Sequence, residues 1–194
     1  MVRSTGLRKV NIAVFISGTG SNLFNLIKYS KLKNSKYTVK YVFSDKKNAG
    51  GLKFAKKFKI PYEILNYKNK KNAEKKTLKC LKLNSIKIVC LAGFMKILSA
   101  TFVKNYKGKI INIHPSLLPK YKGLNTHQRV LDNNEKYSGC TVHFVNTKLD
   151  AGKKILQKKV KVNMNDNAKI LAKRILRQEH KIYPLALNKV ISSL

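Results

Sequence analysis

The sequence predicts an α/β fold with a mostly parallel, twisted sheet, helices on both faces, and antiparallel strands near the C-terminal half. Short β-branched and apolar runs alternate with longer helical patterns, which is typical of right-handed βαβ units. Residues 11–16 form such a run and lead through a Gly-rich turn into a helical pattern. The last two runs, 141–145 and 155–162, flank a short loop, so we expect them to pair in antiparallel fashion.

Strands and helices are expected to alternate through the first half of the chain. Each predicted strand is rich in β-branched or apolar residues, and each predicted helix carries apolar residues at helical spacing. The expected strands are 11–16, 37–43, 60–65 and 86–92, and the expected helices begin after residue 22 and span 49–58 and 68–82.

The second half is built around a short strand at 110–113. Pro115 fixes its own φ and pushes His114 into an extended conformation, so the strand should end there. A helix at 126–131 and the antiparallel strands follow. Asp166 is expected to start the last helix, and Pro184 to interrupt or kink it.

The length of 194 residues is enough for a single domain with a substantial core. Residues 1–9 are polar and are expected to form a disordered leader. No stretch approaches the ~20 apolar residues of a membrane span, and the N-terminus lacks the apolar region of a signal peptide. We therefore expect a cytoplasmic protein without a membrane partner. Its three cysteines lack disulfide or zinc spacing and are expected to be reduced.

The formal net charge of +34 allows two interpretations. Such a charge is typical of proteins that bind nucleic acid or anionic membranes. However, only five of the 42 basic residues are arginines, and the lysines are scattered among many Asn and Ile residues. This bias is what an AT-rich coding sequence would produce, so we favour compositional drift. Some nonspecific binding to polyanions at low salt is still expected.

Asn112 and His114 are the first candidate site residues. Because side chains alternate along a strand, these two should point to the same side, about 7 Å apart. They also lie at the carboxyl end of a strand, where open α/β sheets bind ligands. The alternative is a polar strand end that packs under a loop.

The turn Ser17-Gly18-Thr19-Gly20-Ser21-Asn22 is a candidate anion site. Glycines allow a tight turn, and free N–H groups at a helix start attract phosphate. The third Gly of a dinucleotide fingerprint is replaced by Leu23, so a monophosphate is the better ligand. The alternative is a Gly-rich turn without a ligand.

The string Asn112-Ile113-His114-Pro115-Ser116-Leu117-Leu118-Pro119, followed by Asp150 before Ala151-Gly152, resembles the signature of the folate-dependent formyltransferases. The resemblance covers residues 11–193 and implies the Rossmann-like formyltransferase fold. It also implies one domain over 1–194, with a phosphate-binding half at 11–105 and a catalytic, folate-binding half at 106–194. Either a monomer or a homodimer is consistent with it.

The resemblance implies transfer of a formyl group from 10-formyltetrahydrofolate to the amine of N1-(5-phosphoribosyl)glycinamide in de novo purine (IMP) synthesis. Both partners are small molecules, and neither a metal nor a covalent intermediate is needed. Asn112 and a cationic His114 would stabilise the oxyanion, and His114 would protonate the leaving nitrogen. Asp150 would raise the His114 pKa above about 6.5 and order a water. Without the resemblance, Asp150 could equally be a surface residue of a turn.

The same resemblance implies the substrate contacts. Gly20, Ser21 and Asn22 would hold the ribose phosphate, and Glu179 would accept a hydrogen bond from the substrate amine or amide. Without the resemblance, Glu179 reads as a helix surface acid paired with lysines. The residues expected to bind the folate co-substrate are Lys70, Met95, Lys96, Ile97, Leu98 and Asn112, although Met95 to Leu98 could also be an ordinary core loop.

A second hypothesis is a non-catalytic, basic nucleic-acid-binding protein on a formyltransferase scaffold. The survival of all seven candidate catalytic and substrate residues argues against it. His127, His143 and His180 lack acids at metal-ligand spacing, and we expect His143 to be a core histidine. The departures from the family pattern, which bear on closure of the Asp150 loop, are Asn125, Ala151 and Lys153.

Overall fold

The structure is a computed structural model that describes residues 9–194, in which seven strands form a single sheet. The strands are β1 (Val10–Ile16), β2 (Tyr37–Ser44), β3 (Tyr62–Ile64), β4 (Ile88–Leu91), β5 (Lys109–His114), β6 (Tyr137–Phe144) and β7 (Lys154–Lys161). The helices are α1 (Ser21–Ser30), α2 (Leu52–Lys57), α3 (Lys70–Leu83), α4 (Ala100–Asn105), α5 (Thr126–Asp132) and α6 (Ala168–Ile191). Nearly all of the predicted leader lies outside the described residues, although Lys9 Nζ donates to Ser30 O at 3.1 Å.

The sheet has the order β3-β2-β1-β4-β5-β6-β7. Strands β1 to β5 pair in parallel, and all four residues of β4 are buried. Strands covered by helices on both faces need apolar residues at every position, which explains the continuous apolar run. The β5–β6 and β6–β7 pairs are antiparallel. The predicted α/β fold is therefore confirmed.

Helices cover both faces of the sheet. Residues of α1, α2, α5 and α6 pack in a core cluster on one face, and residues of α3 and α4 pack in a second cluster on the other. Helix α4 was not predicted from the sequence; it has six residues and only one fully buried side chain, Phe102. So short a helix leaves no periodic signal, but Ser99 does cap it by accepting a hydrogen bond from Phe102 N–H at 3.0 Å.

Helix α6 runs unbroken through Pro184, so the predicted interruption is wrong. A proline cannot donate to the carbonyl four residues earlier, which here is His180 O. Asn25 Nδ2 of α1 donates to that carbonyl instead, at 2.5 Å. The helix begins at Ala168 rather than Asp166, because Asn167 is the residue that caps Ile170 N–H.

Several other bounds differ from the predicted ones. The strand expected at 60–65 is limited to Tyr62–Ile64, and the helix expected at 49–58 to Leu52–Lys57. The helix expected at 68–82 starts with a 3₁₀ turn at Tyr67–Asn69, and Asn69 then caps α3. Within residues 9–194, none of the helices has the length and apolar character needed to cross a membrane.

Candidate active site

A cavity of about 540 Å³ lies at the carboxyl ends of β4 and β5. This is the edge of a parallel sheet at which ligands are expected to bind. Strand ends supply Leu91, Asn112, His114 and His143, and loops before α4, before α5 and after β6 form the remaining walls. Asn22 of α1 and Glu179 of α6 also line the cavity. The structure therefore brings together the three predicted catalytic residues and two of the four predicted substrate residues.

Asn112 lies opposite His143 in the β5–β6 ladder. His143 Nδ1 is 2.8 Å from Phe144 O, so Nδ1 must carry a proton. In the neutral ring Nε2 is then an acceptor, and Asn112 Nδ2 lies 3.2 Å from it. This bond occupies one of the two Asn112 N–H groups and orients the amide, which leaves the second N–H available to a ligand.

His143 is a site residue that the sequence analysis missed. It is buried and its ring nitrogens have partners, so the prediction of a satisfied core histidine describes its surroundings correctly. It also lies in the cavity wall, with Nε2 3.6 Å from Asp150 Oδ1. No sequence pattern identifies it, because only the β5–β6 register of the folded protein places position 143 opposite position 112.

His114 faces Asp150 with its other ring nitrogen. Its Nε2 lies 2.8 Å from Tyr121 O, so Nε2 carries the proton in the neutral ring. Nδ1, which lies 3.4 Å from Asp150 Oδ2, is therefore the atom that gains a proton when the ring becomes cationic. The resulting Nδ1–H would point towards the carboxylate.

The pKa of His114 is lowered from its ordinary value near 6.5, chiefly because the ring is buried. The Tyr121 carbonyl and Asp150 raise the pKa but do not outweigh burial, and the charges of His143 and Arg129 lower it further. The expectation that Asp150 keeps the His114 pKa above 6.5 is therefore wrong for this state of the protein. His114 is mainly neutral at pH 7 when no ligand is bound.

Asp150 is a carboxylate at neutral pH. Burial alone would raise its pKa, but the neighbouring His143 ring, the hydrogen bond from Gly123 N–H and the charge of His114 hold the pKa below its usual range. The bond from Gly123 N to Oδ2 measures 2.9 Å. It ties the loop after β6 to the loop before α5, and so places the carboxylate beside both histidine rings.

The departures from the family pattern leave this arrangement intact. Ala151 and Lys153 are exposed, so their side chains add no bulk to the cavity. Gly152 is the position that tolerates no side chain, because a Cβ there would lie 1.7 Å from Phe144 O. Asn125 precedes α5 with φ 54°, a left-handed conformation that asparagine adopts more readily than most residues.

The Gly-rich turn leads from β1 into α1 and reaches the cavity through Asn22. Gly20 has φ 76°, and no side chain caps the first N–H groups of α1. Such free N–H groups suit a phosphate. Gly20 and Ser21 lie outside the cavity wall itself, so their predicted phosphate contacts stay predictions.

Asn22 and Glu179 form a buried pair at one end of the cavity. Asn22 Nδ2 donates to Glu179 Oε2 at 2.7 Å, while Asn22 Oδ1 has no partner in the part of the chain that the structure describes. Burial raises the pKa of Glu179, and the bond from Asn22 opposes that shift. Glu179 is thus not the surface acid of the alternative interpretation. The pair offers an amine two oxygen acceptors, Asn22 Oδ1 and the carboxylate.

Residues 95–98 also line the cavity, and their predicted contacts with the co-substrate stay predictions. Lys70 does not line the cavity and lies at the start of α3. Its predicted contact with the folate tail remains untested. Across residues 9–194, no three His, Cys, Asp or Glu side chains are grouped so that they could hold a metal ion.

Replacing Gly20 with alanine is expected to lower the free energy of unfolding by about 1–3 kcal/mol, because φ is positive and a Cβ would lie 2.3 Å from Gly51 Cα. Urea denaturation would measure the loss. Gly18→Ala is the matched control, since a Cβ at Gly18 meets nothing within 4 Å and should change stability little. Equal stability of the two variants would contradict the close packing of Gly20 on Gly51.

Comparison with known proteins places the chain among enzymes of one-carbon transfer. Residues 10–187 match the family model for formyl transferases. The chain is 42% identical to phosphoribosylglycinamide formyltransferase of Escherichia coli, covering 92% of this chain and 86% of that protein. It is 45% identical to the human trifunctional purine biosynthetic protein adenosine-3. The matched region covers 95% of this chain but only 19% of the human protein.

Solved structures agree with the sequence comparisons. The crystal structure of phosphoribosylglycinamide formyltransferase from Brucella melitensis has a TM-score of 0.90 and 42% sequence identity, covering 96% of this chain and 98% of that one. The Anaplasma phagocytophilum enzyme has a TM-score of 0.90 and 38% identity, covering 96% and 88%.

Proposed function

The chain belongs to the formyl transferase family, and from that premise we propose that it transfers a formyl group from 10-formyltetrahydrofolate to the amine of N1-(5-phosphoribosyl)glycinamide, a step of de novo purine synthesis. The observation that carries the proposal is the meeting of Asn112, His114 and Asp150 in one cavity with the Asn22–Glu179 pair. The first group can stabilise an oxyanion and move a proton, and the second can bind an amine.

The cavity suits two small substrates. Its volume of about 540 Å³ lies within the usual range for small-molecule sites, and residues 95–98 supply an apolar wall with backbone groups for a pterin ring. At the other end, Asn22 connects the cavity to the Gly-rich turn. The phosphate would bind at this turn, and the substrate amine would then lie between Glu179 and His114.

The reaction needs one proton to move between two nitrogen atoms. The neutral amine attacks the formyl carbon, and the carbonyl oxygen becomes an oxyanion. This oxyanion accepts a hydrogen bond from the free N–H of Asn112. His114 Nδ1 takes the proton released by the attacking nitrogen, directly or through a water held by Asp150, and delivers it to the folate nitrogen as the C–N bond breaks. The products are the formamide and tetrahydrofolate, with His114 neutral again.

Asp150 stabilises the cationic form of His114 during this transfer. The carboxylate faces Nδ1 at 3.4 Å, and the ring that begins neutral becomes an imidazolium beside it. The sequence-based hypothesis of a cationic His114 thus applies to the tetrahedral intermediate. In the ligand-free protein the ring is ready to accept the proton.

A formyl-transfer assay with both substrates tests the proposal, and replacing Asn112 with alanine is the first variant to compare. An oxyanion donor is typically worth about 10²–10³ in kcat, and we expect a loss of that size. Asn146→Ala is the matched control, because Asn146 also lines the cavity but bonds only Lys148 N. Absence of transfer by the intact protein would refute the proposed function.

The alternative, a non-catalytic nucleic-acid-binding protein, finds no support among the relatives named above. Nonspecific polyanion binding is still predicted from the net charge of +34. A cytoplasmic location and a monomeric or homodimeric state remain predictions as well.

A further inference from the structure

A small polar cluster lies behind the cavity wall formed by residues 95–98, outside the catalytic group. It consists of Ser17, Asp45, Tyr67, Glu74 and Ser99. The chain has only eight acidic residues, and this cluster holds two of them. Neither carboxylate forms an ion pair with a lysine or arginine among residues 9–194. Burying a carboxylate without a cation beside it costs solvation free energy, so hydrogen bonds from the protein must stabilise these two groups.

The wall has little packing of its own. Met95 is 58% exposed and Ile97 is 66% exposed, and Lys96 is also exposed. Leu98, at 8% exposure, is the single buried side chain of the four. Such a segment is poorly held by hydrophobic contacts, so its backbone position must depend on hydrogen bonds at its two ends.

The first end is held through Ser17. Ser17 Oγ accepts a hydrogen bond from Met95 N–H at 2.8 Å and donates to Asp45 Oδ1 at 2.5 Å. Ser17 N–H also donates to Gly93 O at 3.1 Å. Asp45 orients the hydroxyl so that its lone pair faces Met95. We call this set of hydrogen bonds the Asp45–Ser17 bracket. Because Ser17 directly follows β1, the bracket joins the wall to the centre of the sheet.

The second end is held through Ser99. Glu74 of α3 is 6% exposed, and both of its carboxylate oxygens bond Ser99: Oε1 accepts from Ser99 N–H at 2.9 Å, and Oε2 accepts from Ser99 Oγ. Ser99 Oγ in turn caps α4. A charge-assisted pair of bonds to one residue fixes both its backbone and its side chain.

Tyr67 lies near both carboxylates and next to the start of the wall. Its ring packs edge-on against Phe94, with 5.7 Å between the centroids, and Phe94 also lines the cavity. Burial raises the pKa of Tyr67, and the nearby charges of Glu74 and Asp45 raise it further. Tyr67 is therefore a neighbour of both brackets.

We propose that the Asp45–Ser17 and Glu74–Ser99 brackets are positioning elements that hold the backbone of residues 95–98 in the geometry required by the folate co-substrate. The inference rests on the proposed function and goes beyond it by separating the determinants of the two substrates. Loss of either bracket weakens binding of 10-formyltetrahydrofolate. Loss of the Glu74–Ser99 bracket, which shares no residue with the Gly-rich turn or the Asn22–Glu179 pair, leaves binding of the ribonucleotide as it is.

Ser17→Ala and Ser99→Ala test the two ends separately. Each is expected to raise the KM for 10-formyltetrahydrofolate about tenfold, the size of effect typical of one lost hydrogen bond to a charged group. The KM for the ribonucleotide is compared only for Ser99→Ala, because Ser17 begins the Gly-rich turn. In Ser99→Ala, kcat and the KM for the ribonucleotide should change little. Ser30→Ala is the matched control, because Ser30 is also buried and bonds a backbone carbonyl, Ile27 O, but does not touch the wall. The control should lose stability without any change in KM.

Glu74 offers a test by conservative replacement. Glu74→Gln keeps an oxygen that can accept from Ser99 N–H, so its co-substrate KM should lie between those of the intact protein and of Glu74→Ala. A general loss of folding would instead raise the KM values for both substrates or lower kcat in proportion to the loss of active protein.

Backbone hydrogen exchange provides a readout that does not depend on activity. Ser17→Ala should speed exchange at Met95 and Ser99→Ala at residues 99–102, while exchange at 112–114 stays slow. If the intact protein transfers formyl groups but the co-substrate KM and the exchange of both variants are unchanged, the brackets have no positioning role. If the intact protein transfers no formyl group, the proposed function fails. Unchanged hydrogen exchange in both variants would then still refute the positioning role of the brackets.

Discussion

Replacing His114 with alanine is expected to lower kcat by about 10²–10⁴, the usual contribution of a positioned general acid–base group. His114 Nδ1 is the atom that accepts and returns the transferred proton, and no other cavity histidine faces Asp150 with a nitrogen free to do so among residues 9–194: His143 Nδ1 is bonded to Phe144 O and its Nε2 to Asn112. Both KM values should change little, since His114 does not hold either substrate in the proposed arrangement.

His180→Ala is the matched control for this variant. His180 is also partly buried and has a lowered pKa, but it does not line the cavity. Single-turnover rates with saturating substrates would compare the two variants, and urea denaturation would verify that both are folded. A His114 variant within tenfold of the intact protein would show that the proton takes another route.

Asp150→Asn is expected to lower kcat by a comparable factor, about 10²–10⁴, and to shift the pH dependence. The asparagine can still accept from Gly123 N–H, so the loop stays tied down while the charge is lost. The Asp150 charge raises the His114 pKa, so its removal lowers that pKa further. If neutral His114 is the reactive form, kcat/KM rises with pH through this pKa. In the intact protein this pKa already lies below about 6.5. The pH range over which kcat/KM rises should therefore lie lower still in the variant.

Measurements of kcat/KM between pH 4.5 and about 8 would locate both limbs. The free substrate amine has the same pKa in both assays. A difference between the pH values at which kcat/KM rises therefore comes from the protein alone. A kcat/KM that increases as the pH falls through the same range would show that His114 reacts as a preformed cation. That outcome would restore the original sequence-based hypothesis for its protonation state.

Local patterns were sufficient to predict most of the catalytic group. Asn112 and His114 are two residues apart on one strand, so the period of the strand alone places them on the same side. Pro115 marks the strand end, and the apolar runs of β1 and β4 identify the buried centre of the sheet. Asn22 belongs to the Gly-rich turn that the local pattern predicted as an anion site, and the family resemblance added its contact with the phosphate. Asp150 and Glu179 are distant along the chain and were assigned through the family resemblance.

Features that depend on contacts between distant residues were missed or predicted wrongly. His143 joins the site only because β6 pairs with β5 in a register that places it opposite Asn112. The uninterrupted α6 depends on Asn25, which satisfies the carbonyl freed by Pro184. Helix α4 is too short for a periodic signal, and its cap is held by Glu74 from another helix.

The amino-acid sequence was sufficient to predict the fold class, the chain order of the strands and of every helix except α4, and the family, because these follow from residue periodicity and from short motifs. The protonation state of His114, in contrast, depends on how the chain packs. Its pKa is a balance between burial, which lowers it, and Asp150 and Tyr121 O, which raise it. Both the burial of the ring and the 3.4 Å distance between His114 Nδ1 and Asp150 Oδ2 arise when separate segments pack together. The free energy of protonating the ring depends on such distances and on solvent exposure, which no linear pattern contains.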